Sequence, residues 1–181
     1  MSKAFAIIGG TGAGKTTFTK ERLKRVDKRS IHLYDVNSEY KEFYSKPFVD
    51  FETFLDESTK IRNACIVFEE ATIFFGNKSS NRKITELLVR KRHTNNTIFL
   101  IFHSLSSVPR NILSLINYMV IFRTSDTEAI VKNKFGDERI TNIFNEVNNS
   151  QEKYNFKIHQ TNWKINFLYQ KFVYSLVEIK N

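Results

Sequence analysis

Residues 7 to 18 read "IIGGTGAGKTTF", and the spacing Gly9-x-x-x-x-Gly14-Lys15-Thr16 is that of a phosphate-cradling P-loop. The chemistry needs these residue types. Glycines at 9, 10, 12 and 14 allow positive φ, so that backbone N–H groups turn inward on a polyphosphate along Gly9, Gly10, Thr11, Gly12, Ala13, Gly14, Lys15, Thr16 and Thr17. A helix starting at the end of this run presents its N-terminus to the same negative charge. Lys15 then reaches the β- and γ-phosphates, and Thr16 offers a hydroxyl to Mg²⁺, which takes hard oxygen ligands and keeps waters as well. Nucleotide binding is the reading this stretch supports.

A second set of reactive residues ends the stretch "ACIVFEEA", residues 64 to 71. An apolar run followed by two carboxylates describes a buried strand that delivers acids to the C-terminal edge of a sheet, where ligands of open α/β sheets bind. Glu69 would belong to the Mg²⁺ shell, directly or through water, and Glu70 would polarise an attacking water. Hydrolysis is favoured over transfer to another acceptor. Glu stands at 69 where Asp is more usual, and the extra methylene implies a shifted or water-mediated contact.

Positioning these groups requires an alternation of strands and helices. Apolar runs predict strands at 4–9, 31–35, 64–69, 97–103 and 118–123, and helical periodicity predicts helices at 14–26, 50–60, 81–92, 109–116 and 126–134. That order implies a mostly parallel sheet with helices on both faces. The tail from Tyr154 to Ile179, including "KINFLYQKFVYSL", alternates near period two and predicts antiparallel strands at a sheet edge. No repeat or low-complexity tract interrupts the chain, and the Asn-rich "NEVNNSQE" is the nearest approach to a linker. A single domain over 1–181 is expected, with core motifs in 1–124 and C-terminal helices and edge strands in 125–181.

The 181 residues carry a formal charge of +9. The cations are concentrated in "KERLKRVDKR" (20–29) and "NRKITELLVRKRH" (81–93), whereas 35–70 is net acidic. This distribution points to an anionic polymer as partner. Cys65 is the only cysteine, so a disulfide framework is excluded and a buried thiol is expected. The apolar run Ala4 to Ile8 leads straight into the P-loop and reads as a core strand, not a signal sequence. No segment approaches the ~18 apolar residues of a membrane span. A cytoplasmic, reducing location is the expectation.

The stretch "ITELLVRKRHTNNTIFLIFHSLSSVPRNILSLINYMVIFRT" (84–124) predicts a helix, an Asn-rich turn, a buried strand ending at His103, a Pro-started helix and a further strand. Together with "LYDVNSEY" (33–40), it resembles the FtsK/HerA superfamily of DNA-translocating ATPases, whose members carry an Asp-x-x-x-Glu-Tyr element and a strand ending in a polar sensor followed by a P-x-x-I-L segment. The similarity covers residues 4 to 124. Within the superfamily, the chain most resembles the genome-packaging ATPases of internal-membrane and double-jelly-roll viruses.

That resemblance implies a RecA-like P-loop NTPase fold with the sensor strand between the P-loop strand and the acidic strand. It also implies ATP and Mg²⁺ as cofactors, sequence-independent DNA binding, a homo-oligomeric ring of five or six subunits, and capsid vertex proteins as partners in the host cytoplasm. The family usually has Gln at the end of the sensor strand. Here His103, followed by Ser104, stands in its place, and either side chain is a candidate to contact the γ-phosphate or the attacking water. Ring ATPases of this type complete each site with an arginine in trans, for which the candidates are Arg92, Arg90 and Arg123. Arg92 ranks first because at helical spacing it flanks the apolar face. The alternatives are a small P-loop nucleoside or nucleotide kinase, and a nucleotide-gated DNA-binding assembly factor.

Overall fold

In the computed structural model, residues 2–44, 48, 50–152 and 154–161 are described. Five parallel strands and one antiparallel strand form a single sheet in the order β2-β3-β4-β1-β5-β6. They are β1 (Ala4–Ile8), β2 (Ile31–Tyr34), β3 (Cys65–Phe68), β4 (Thr97–Phe102), β5 (Tyr118–Phe122) and β6 (Phe156–Gln160). Strand β4 lies between β1 and β3, as the sequence resemblance implies, so the ends of the P-loop, sensor and acidic strands are side by side. Antiparallel β6 joins β5 at the edge. The expected strands within "KINFLYQKFVYSL" lie outside the described residues.

Alternation along the central strands divides the core in two. Ala4, Ala6, Ile8, Ile66, Phe68, Ile98, Leu100 and Phe102 face one cluster, whereas Ile7, Cys65, Val67, Phe99 and Ile101 face the other. Helices α2 (Phe51–Ser58), α3 (Lys78–Thr94), α4 (Glu128–Phe135) and α5 (Glu138–Asn149) bury apolar side chains in the first. The second is covered by α1 (Lys15–Leu23) and by Tyr40 and Phe43. Parallel strands covered on both faces read as continuous apolar runs, which is why β3 and β5 were legible as strands without alternation. Cys65 is buried in β3, and burial pushes its thiol up to about 12.

Two expectations need correction. The predicted helix at 109–116 is a 3₁₀ segment, Arg110–Leu115, which follows extended Pro109 and buries only Ile112, too little to fix an α-helix. The helix expected at 81–92 is longer, starting at Lys78 because Asn77 caps it through Ser80 N–H at 2.7 Å. In keeping with the absence of a clear linker in the sequence, residues 145–149 of the Asn-rich stretch complete α5.

Helix α5 buries Ile140, Phe144 and Val147 at helical spacing. Near its C-terminus Asn148 both accepts from Thr124 N–H (3.0 Å) and donates to Thr124 C=O (2.9 Å), fixing the chain just beyond β5. Asp137 caps its start, accepting from Arg139 N–H at 2.9 Å, and also pairs with the Arg139 guanidinium at 2.6 Å. The Arg139 side chain holds the Asp137 carboxyl down at about 2, below the ordinary 3.8. A depressed carboxylate pKa contributes stability that is present above pH 3.8 and lost as pH falls through about 2. Asp137→Ala is therefore expected to cost about 0.5–2 kcal/mol in urea unfolding near neutral pH. The gap to the parent should narrow between pH 3.8 and about 2; a gap constant down to that pH would assign the loss to packing.

Candidate nucleotide site

The P-loop closes on the sheet by backbone contacts to both neighbours of β1. Gly9 N–H donates to Phe102 C=O at the end of β4 (3.1 Å), and Gly10 N–H to Arg123 C=O just past β5 (2.8 Å). A Cβ at Gly9 would lie 2.6 Å from Phe122 Cβ, so this approach requires glycine. Gly14 has φ +106° and begins α1 without a side-chain cap. Helices α2, α3, α4 and α5 all have side-chain caps, from Asp50, Asn77, Thr127 and Asp137. The orphan N–H groups of α1 are thus the ones left for an anion.

Lys15 is 8% exposed, and its ammonium donates to Gly9 C=O (2.6 Å) and Gly10 C=O (3.0 Å). Burial pushes its pKa down, while the carboxylates of Glu70, Glu69 and Glu39 pull it up. The carboxylates of Glu70, Glu69 and Glu39 therefore all act on the Lys15 ammonium. Thr16 Oγ1 donates to Glu39 Oε2 at 2.6 Å.

Glu69 is 7% exposed and accepts from Val36 N–H (3.2 Å) and Asn37 Nδ2 (3.1 Å). Burial pushes its pKa up; the Asn37 amide opposes this, and Asp35, Glu39 and Glu70 add to the rise. Glu70 adopts φ 60° and ψ 48°, a left-handed conformation that non-glycine residues seldom take. The two adjacent carboxylates thereby reach different partners: Glu69 binds the loop after β2, and Glu70 Oε2 pairs with His103 Nε2 at the end of β4. Strain of this kind clusters at functional sites.

Asp35 organises the loop after β2, accepting from Glu39 N–H (2.9 Å), Tyr40 N–H (2.8 Å) and Tyr44 Oη (3.0 Å). Tyr40 is fully buried beside Thr16 and Thr19, and burial raises its pKa. "DVNSEY" is thus the support that brings Glu39 to Thr16 and Asn37 to Glu69. Its signal in the sequence was the Asp-x-x-x-Glu-Tyr element on which the family resemblance rests. Asp126, which sequence reading passed over, braces the loop after His103 by accepting from Leu105 N–H (2.7 Å) and Ser106 N–H (3.2 Å).

The arginines separate. Arg90 pairs with Glu86 at 2.9 Å on the exposed face of α3, and Arg92 lies close enough to Lys3 to lower that residue's pKa, after the larger effect of burial. Both are at the end of the sheet where β1 and β4 begin, away from the P-loop. Arg123 instead adjoins its own P-loop, its carbonyl bonded to Gly10 and its guanidinium to Ser150 C=O.

Residues 14–177 match the family model described as zonular occludens toxin (Zot). The chain belongs to the Zot family. No curated protein matches it by sequence. Its fold is that of a P-loop NTPase: it superposes on B204, the DNA-packaging ATPase of Sulfolobus turreted icosahedral virus, with TM-score 0.74 at 17% identity, covering 90% of this chain and 94% of that one. The genome-packaging NTPase B204 of Sulfolobus turreted icosahedral virus 2 is similar in complex with AMPPCP (TM-score 0.68, 16% identity, 88% and 93% coverage). In complex with ATP-gammaS the values are 0.68, 19%, 89% and 93%. At these identities the likeness is one of fold.

Proposed function

We propose that this Zot-family chain is an ATP hydrolase that drives DNA movement, the subunit of a viral genome-packaging motor. One observation carries the hydrolase reading: three adjacent parallel strands bring Lys15, Glu70 and His103 to one sheet edge, with Glu70 held by His103 and facing the Lys15 charge. Fold similarity to a viral DNA-packaging ATPase and the +9 charge support the DNA-motor reading.

In this reading the backbone from Gly9 to Thr17 wraps the phosphates, and Lys15 neutralises the β and γ charge. Glu70 orients the attacking water and takes up its proton, His103 fixes the Glu70 carboxylate, and Ser104 lies next along the same loop. The hydroxyl of Thr16 and the carboxylates of Glu39 and Glu69 are hard oxygen donors that suit Mg²⁺, which would neutralise charge on the phosphate oxygens. Among the described residues there is no cluster of three or more His, Cys, Asp or Glu that could hold a metal ion. Arg92 and Arg90, being remote from their own site, are suited to act on a neighbouring subunit in a ring of five or six. Arg123 is suited to its own site. The whole chain acts as one domain, in the host cytoplasm and at the capsid vertex. Among the described residues no helix is long and apolar enough to cross a membrane.

The test is phosphate release by the purified chain with and without double-stranded DNA, with nucleosides offered as acceptors. DNA-stimulated release supports the motor. A phosphorylated nucleoside would replace it with the kinase, and DNA binding without release would leave an assembly factor. A motor that moves a whole genome must hold DNA through its backbone, so log affinity should fall linearly with log salt. About six phosphate contacts would give a loss of about 10³-fold between about 50 and about 200 mM salt. A flat salt response would rule out a basic DNA channel.

A further inference from the structure

Tyr154 stands beside the P-loop and has no part in the chemistry described above. It is 57% exposed, yet a Cβ at Gly14 would lie 3.2 Å from its Cδ1 and 3.5 Å from Phe122 Cε1. Phe122, which the same Cβ would approach, packs with Phe18 and Phe156, with ring centroids 5.1 Å apart for Phe122–Phe156 and 5.1 Å for Phe18–Phe156. Arg123 bonds Ser150 C=O and so ties the connection leading to Tyr154 to the end of β5. An aromatic ring thus stands at the rim of the phosphate cradle, against Gly14 and near a packed aromatic cluster.

The polarity of the nucleotide follows from sheet order. Glu69, Glu70 and His103 end β3 and β4, on one side of β1, and this is where the terminal phosphate must meet the attacking water. A polyphosphate lying along the loop with its γ end there directs its nucleoside end to the other side, toward β5 and β6. Tyr154, between β5 and β6 in the chain and against Gly14 at the start of α1, is on that side.

We propose that Tyr154 is the base platform of the site, stacking on the purine of a nucleoside triphosphate whose phosphates occupy the P-loop. The proposal rests on the nucleotide-binding reading above. Aromatic stacking is sequence-tolerant because every base has a π face, so the ring supplies affinity and leaves ATP and GTP poorly distinguished.

The experiment is calorimetric titration of the full chain with ATP and, separately, with inorganic tripolyphosphate, which has the phosphates and no base. Tyr154→Ala should weaken ATP about 10- to 100-fold and leave tripolyphosphate unchanged, whereas Tyr154→Phe and Tyr154→Trp should keep the parent's ATP affinity. Unchanged tripolyphosphate binding also establishes that the variant is folded. ATP affinity unaltered in Tyr154→Ala, or equal weakening of both ligands, would overturn the platform and leave the P-loop reading standing. A parent chain that binds neither ligand would overturn both.

Discussion

Glu70→Gln is expected to retain ATP affinity and to lose turnover by about 10²–10⁴-fold, the range for removing a positioned general base. The amide has the size and shape of the carboxylate, so it can keep the contact that Glu70 makes to His103 at the end of β4. It cannot accept a proton from water at useful strength. Binding should survive because phosphates are held by the loop, α1 and Lys15, and because the substitution removes one of the three negative charges around that ammonium. Phosphate release under single-turnover conditions, beside calorimetric binding of ATP, separates the two effects. Release at the parent rate would remove Glu70 from the chemistry and turn attention to Glu69 and Glu39.

Lys15→Ala should weaken ATP binding about 10²-fold and abolish turnover. Its ammonium is the cation at an edge that also holds Glu39, Glu69 and Glu70, so truncation leaves an acidic site facing an acidic ligand. Removing one member of a buried, hydrogen-bonded charge set costs about 3 kcal/mol, or about 10²-fold in Kd. Lys15 also donates to Gly9 C=O and Gly10 C=O, so the loop loses an internal brace at the same time. The signature is ATP binding weakened with the thermal unfolding transition kept, because Gly9 and Gly10 still anchor the loop to the sheet by backbone bonds to Phe102 and Arg123. Parent-like ATP affinity in this variant would mean that the backbone alone carries the phosphates. On the proposed reading, Glu70→Gln and Lys15→Ala divide the site: the first should remove the reaction, and the second the binding that precedes it.

Much of the fold was legible because its rules are short-ranged. Glycine spacing marks a phosphate loop, and unbroken apolar runs such as "CIVF" and "YMVIF" mark strands covered on both faces. Helix α5 escaped notice because its Asn-rich exposed face hid Ile140, Phe144 and Val147 at helical spacing. The 3₁₀ segment 110–115 was read as a helix because Pro at a start is compatible with either, and only the small burial there separates them.

The sequence by itself determined the chemical inventory: a glycine loop with Lys15 and Thr16, two carboxylates at a strand end, a polar residue closing a later strand, and strongly basic segments. Tertiary structure decided which of these meet. Strand order places β4 between β3 and β1, so Glu70 meets His103 across 33 residues of chain, and the loop after β2 carries Glu39 to Thr16 across 23. It also sends Arg90 and Arg92 to the far edge of the sheet while keeping Arg123 and Tyr154 at the P-loop. Residue type and local spacing fix backbone conformation over a few residues. The crossovers that order a parallel sheet are set by burial of whole faces, and that balance involves residues distant along the chain.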